Sequence, residues 1–197
     1  MSAARKISAD DILSNEEYMK IRAERRKALV AVKKNRRVEI GPVATAYFES
    51  FDTMLHQIQE MLYIEKGGEE QLADELAAYN PLIPNGRELV ATVMFEIDDP
   101  VRRGTFLSKL GGVEETMFIK FGDEEIIGTP EEDVDRTNAA GKASAVQFVH
   151  FTFNDSQAEK FRSADQQVII GFKHPQYAHM VVLQDATRNA LAGDFSD

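Results

Sequence analysis

Residues 89–129, LVATVMFEIDDPVRRGTFLSKLGGVEETMFIKFGDEEIIGT, and residues 144–183, SAVQFVHFTFNDSQAEKFRSADQQVIIGFKHPQYAHMVVL, read in the same order: strand, helix, strand, strand. Phe95 falls beside Phe151 in such an alignment, Phe106 beside Phe161, Phe121 beside Phe172 and Ile126 beside Val181. The pattern is that of an internal repeat with unequal loops. Strands pair with near neighbours and short helices cover an apolar face, so two such units predict an antiparallel sheet of about six strands with two helices on one side. The expected class is α+β.

Side chains alternate along a strand, which assigns faces. Val93, Phe95 and Ile97 face the unit's own helix, as do Val149, Phe151 and Phe153 in the second unit. Thr92, Met94 and Glu96 then share the opposite face with Phe148, His150 and Thr152. That face is apolar enough to be covered, and the N-terminal helices are the available cover. It also carries a carboxylate and an imidazole at similar places in the two units. A buried charge needs a partner.

Upstream, Ser14 and Glu17 form a capping box, and a helix is expected from there to Lys33 or Lys34, with Tyr18, Ile21, Ala28, Leu29 and Val32 as its apolar stripe. Val38 and Ile40, then Ala44, Ala46 and Phe48, read as two short strands turned at Gly41-Pro42. A helix capped by Asp52 follows, with Leu55, Ile58, Met61 and Leu62 inward and His56, Gln59, Glu60 and Tyr63 on the flank turned away from the core. It ends at Gly67 or Gly68, and another helix spans about residues 69–78 before the prolines of YNPLIP. The segment TPEEDVDRTNAAGKAS between the two units is expected to be an exposed, mobile connection. DATRNALAGDFSD reads as a short helix with a frayed acidic tail. The whole reads as a single domain over 1–197, with an N-terminal helical region and short hairpin in 1–86 and the repeated α+β region in 87–197.

Composition narrows the function classes. The chain has no cysteine, which excludes disulfides, Cys-ligated zinc, iron-sulfur ligation and a cysteine nucleophile, and fits a reducing cytoplasm. Neither a signal peptide nor a membrane-spanning run is present, so a cytoplasmic protein with no membrane role is expected. The net charge of −10 is unevenly spread: residues 1–40 hold 11 Lys and Arg against 6 Asp and Glu, the remainder 12 against 27. Such a surface repels nucleic acid. The basic block suits an acidic protein partner or the acidic surface of a second copy, making a homo-oligomer.

No phosphate loop, nucleophile elbow, zinc signature or dinucleotide fingerprint occurs. Two candidate sites remain. Arg22, Arg25, Arg26 and Lys33 line one side of the first helix and form a partner- or anion-binding cluster. The alternative is a metal or small-ligand pocket between sheet and helices, built from Glu96 and His150 with His56 and Glu60, which stand one helical turn apart and can share a divalent ion. His174 and His179 bracket HPQYAH and read as turn chemistry. The leading reading is a non-enzymatic binding or accessory protein, and the alternative is a metal-dependent or small-ligand-binding enzyme. Repeated units with His and Glu on a sheet are similar to the vicinal-oxygen-chelate enzymes, although each unit here is one strand short of that pattern.

Taken together, RKALVAVKKNRRVEIGP, FES, QIQEML, ELAAYNPLIP and SAVQFVHF resemble an uncharacterised bacterial family known only as a domain of unknown function. The resemblance spans roughly residues 8–190, with QIQEML and YNPLIP its most specific parts. Members of that family are often encoded beside rubrerythrin-like proteins and iron-sulfur oxidoreductases, which implies an accessory role in redox or peroxide metabolism. It supplies no catalytic assignment.

Overall fold

The computed structural model describes residues 6–131, 137–139, 141–163 and 166–196. A 20-residue helix, α1 (Asn15–Lys34), begins at Ser14, whose hydroxyl accepts from the Glu17 amide while Glu17 reaches back, the expected capping box. β1 (Arg37–Ile40) and β2 (Ala44–Phe48) form the expected hairpin. Then come α2 (Phe51–Glu65) and α3 (Gly68–Tyr79). The two C-terminal units follow as β3 (Glu88–Phe95), α4 (Pro100–Leu107), β4 (Met117–Phe121) and β5 (Glu124–Ile127), then, after the short β6 (Thr129–Pro130), β7 (Val146–Thr152), α5 (Asp155–Arg162), β8 (Val168–Phe172) and β9 (Met180–Val182). A last helix, α6 (Asp185–Ala192), closes the chain.

The class is α+β with antiparallel pairing throughout, but the strands form two sheets rather than one. β1-β2-β3-β7-β6 make a five-stranded sheet and β5-β4-β8-β9 a four-stranded one. In each unit the strand before the helix joins the first sheet, and the two after it join the second. The physical reason lies in the inward faces. Val93, Phe95, Val149 and Phe151 of one sheet share a single buried core with Ile119, Phe121, Ile170 and Phe172 of the other. Phe95 packs on Phe172 with ring centroids 6.0 Å apart, and Phe121 stacks on Phe153. Two eight-residue helices could not cover six strands, whereas a second sheet can.

The opposite face of the five-stranded sheet is covered as expected. Met54, Ile58 and Leu62 of α2 join Leu82, Ile83 and Val90 in a second buried cluster, with Phe148 packed against it. Several local expectations need correction. α2 is capped by Ser50, not Asp52, because Ser50 and Thr53 satisfy each other's backbone amides. Its last turn closes on Lys66 in the left-handed conformation (φ 58°), one residue before the glycines. On α1 only Tyr18 and Leu29 are buried; Ala28 and Val32 are exposed and Ile21 is half-buried. The C-terminal tail is anchored through its described residues rather than frayed: Phe195 is in the core and Asp194 pairs with Arg36. Six of the 16 residues of the connection expected to be mobile, 132–136 and 140, lie outside the described residues.

Candidate functional site

The chain enters the site through β2. Its end runs Tyr47, Phe48, Glu49, and Ser50 then caps α2, so Glu49 sits where an apolar strand meets a helix N-terminus. The Glu49 amide donates to the carbonyl of Val90 at 2.8 Å, which fixes the turn on β3. Its carboxylate is buried and accepts from two hydroxyls, Thr92 and Thr53, each at 2.6 Å. The positive end of the α2 dipole favours this anion further. No cation pairs with the Glu49 carboxylate among the described residues.

Around this carboxylate lies a cavity of about 260 Å³ between the five-stranded sheet and the helical layer. Met54, Leu82, Met94 and Phe148 supply apolar walls, and Gln57, Tyr79, Thr53 and Thr92 supply polar groups. Lys33 and Arg36 also line it. Arg36 is engaged through both terminal nitrogens: it clasps Asp194 through two bonds of 2.8 and 2.5 Å and donates to the carbonyls of Glu49 and Ala190. It therefore serves as a wall. Lys33 is exposed at the rim.

The residues expected to form a metal pocket fall in three places. Glu60 accepts from Arg22 in a two-bond pair, both at 2.8 Å, and from the Tyr18 hydroxyl at 2.5 Å. Arg22, with help from that hydroxyl, holds the Glu60 carboxyl well down, at about 2. His56 stands 3.5 Å from the same hydroxyl, and burial lowers its pKa. This flank of α2 is thus an α1–α2 contact, not a wet surface. Gln59 on it is completely buried, exchanging bonds with the backbone of Leu13.

Glu96 accepts from Thr45 and Tyr47 and lies near Arg37; the Thr45 bond first, then the others, lowers its pKa. His150 sits between Glu88 (3.1 Å) and Glu131 (2.7 Å). Burial disfavours its charged form, yet the two carboxylates outweigh this and hold its pKa above the ordinary value. Glu96 and His150 are separated because β3 and β7 run antiparallel: Val90 faces His150 and Met94 faces Val146. Equivalent strand ends therefore lie at opposite ends of the pair, about 20 Å apart at roughly 3.4 Å per residue. No group of three or more His, Asp or Glu among the described residues is arranged to hold a metal.

Of the basic cluster, Arg22 is committed to Glu60 and lies over the Tyr63 ring at 4.8 Å. Arg25 and His56 border a shallow α1–α2 groove, whereas Arg26 is exposed. Of the eight residues proposed from the sequence as metal-ligating or partner-binding, only Lys33 lines this cavity. Glu49, Thr53, Thr92, Tyr79 and Met94 carried no motif. The one available signal was the carboxylate of FES, placed directly between the strand ATAYF and a helix cap.

Fold and site together define an α+β protein of two packed antiparallel sheets, with a cavity beneath its helical layer. The chain belongs to the family described as "Protein of unknown function (DUF3501)", whose model matches residues 6–195. A similar solved structure is the "novel protein of unknown function" from Burkholderia pseudomallei K96243, at 34% identity and a TM-score of 0.89. The match covers 98% of this chain and 100% of that one. No match was found among curated proteins. No helix among the described residues is long and apolar enough to cross a membrane.

Proposed function

We propose that this protein is a binding protein that takes a small amphipathic molecule into the cavity between the five-stranded sheet and the helical layer. The observation that carries this reading is the cavity itself: concave, walled by Met54, Leu82, Met94 and Phe148, with a buried carboxylate, two threonines and a tyrosine converging on it. The chain contains no tryptophan, which makes the test direct. Tyr79→Trp puts a single indole in the cavity wall, and Met180→Trp puts one on the exposed face of the second sheet. Titration with small aromatic and aliphatic amphiphiles is expected to change the emission of the first variant and leave the second unchanged. Equal responses, or none from either, would overturn the reading.

A second reading concerns α1. Only two of its 20 residues are buried, and Arg25, Arg26 and Lys33 make no ion pair among the described residues. With the remainder of the chain strongly acidic, this helix suits an acidic protein partner or the acidic surface of a second copy. Self-association through it predicts a larger species in gel filtration at low salt that dissociates at high salt and in the double variant Arg25→Glu, Arg26→Glu. A size independent of both would remove the second copy as the partner.

A further inference from the structure

Resting on the cavity reading above, we propose that the ligand is a small protonated amine with an apolar body, its ammonium group held by Glu49. Glu49 is 8% exposed, and a carboxylate so buried carries a desolvation cost that a counter-charge would relieve. Among the described residues the Glu49 carboxylate has two hydroxyl partners, Thr53 and Thr92. A carboxylate offers about four acceptor positions, so two hydroxyl bonds leave capacity for a donor from the cavity. The adjacent cation cannot supply it. The Arg36 guanidinium is spent on Asp194 and on two carbonyls, one of them the main chain of Glu49 itself.

The two threonines also fix where the donor must come from. Thr53 approaches one carboxylate oxygen from α2 and Thr92 approaches the other from β3, so the carboxylate is braced from both layers that enclose the cavity. An ammonium group brings three N–H donors and a full positive charge. The apolar remainder of such a ligand would lie against Met54, Leu82, Met94 and Phe148. Lys33, at the exposed rim, would stay in solvent.

Benzylamine and benzyl alcohol share one apolar body and differ in charge, so they separate the cavity from its carboxylate. Isothermal titration of the wild type at pH 7 is expected to show benzylamine binding about ten-fold or more tighter than benzyl alcohol. That preference is expected to vanish in Glu49→Gln, whose amide oxygen can still accept from one threonine while its NH2 donates to the other. Equal binding of the two compounds to the wild type would overturn the amine assignment while leaving the cavity reading intact. A preference that persists in Glu49→Gln would overturn the role of Glu49. Binding of neither compound to the wild type would overturn the amine assignment; a Tyr79→Trp response to other amphiphiles would then decide the cavity reading separately. The wild-type comparison stands without the variant, so a folding defect in Glu49→Gln does not remove the test.

Discussion

Removing the Asp194 carboxylate should open the molecule at the cavity wall. Arg36 and Asp194 are each about 10% exposed, and they join the start of the β1 hairpin to the C-terminal tail across 158 residues of sequence. Asp194→Ala deletes both guanidinium–carboxylate bonds and leaves Arg36 with two carbonyl acceptors, Glu49 and Ala190, for a full buried charge. Breaking a buried pair from one side costs about 3–5 kcal/mol, and the residual exposure here places the loss near the lower end. For a domain of this length that lowers Tm by roughly 6–12 °C. Thermal unfolding followed by circular dichroism measures it. Two comparisons isolate the cause. Asp155→Ala, which removes the partner of Arg87 at an 84% exposed position, should stay within about 1 kcal/mol of wild type. Replacing both members, Arg36→Met with Asp194→Leu, should recover most of the loss, because no unpaired charge remains. A fall of less than about 2 °C in Asp194→Ala would refute the reasoning, as would a double variant no more stable than the single one.

Other expectations concern protons and packing. The His150 pKa is raised in the folded protein, so its contribution to stability is fully present below the unfolded value near 6.5 and is lost as pH rises through the folded value. Tm measured across that range should fall with pH in the wild type more steeply than in His150→Gln; parallel profiles would exclude the Glu88–His150–Glu131 pairing as the source. Glu60 has the opposite sign: its carboxyl is held down at about 2 by Arg22, so its stabilisation is present above the unfolded value of 4.5 and fades as pH falls towards 2. Glu60→Gln should therefore flatten the acid limb of the stability profile and speed amide exchange in α1, and unchanged exchange would show that α1 is held otherwise. Gly171→Ala puts a Cβ 2.5 Å from the carbonyl oxygen of His179, backbone that cannot move aside cheaply, and should cost about 1–3 kcal/mol in denaturant unfolding.

Local order was legible wherever periodicity and caps spoke for themselves. Ser14 and Glu17 marked α1, Gly41-Pro42 marked the hairpin, and alternation in VQFVHFT put Phe151 in the core and Phe148 under the helices. The division into two sheets was not legible, because alternation tells which side of a strand is buried but not which strand lies beside it. The helices α4 and α5 carry the chain from one sheet to the other, and nothing in PVRRGTFL or DSQAEKFR distinguishes that crossing from a return to the same sheet. The same gap misplaced the candidate site. Glu96 and His150 stand at similar places in the two units, but antiparallel pairing of β3 with β7 sends them to opposite ends. The mixed face of β3 and β7 was legible as lying beneath the helices, and its Thr92, Met94 and Phe148 line the cavity, but Glu96, His150, His56 and Glu60, the residues expected to build a pocket there, do not. Its central carboxylate was missed, since Glu49 stands at a strand–helix junction where a lone glutamate reads as ordinary solvated turn chemistry.

The central claim, that the cavity beneath the helices receives a small amphipathic ligand, is tested most directly by methyl NMR on protein carrying 13C-methyl methionine. Of the seven methionines, Met54 and Met94 line the cavity, Met117 lies in the core between the sheets, and Met180 is exposed on the second sheet. Titration with benzylamine should shift the Met54 and Met94 resonances saturably while Met117 and Met180 stay fixed. Shifts confined to Met180, or spread evenly over all the methyls, would contradict the account.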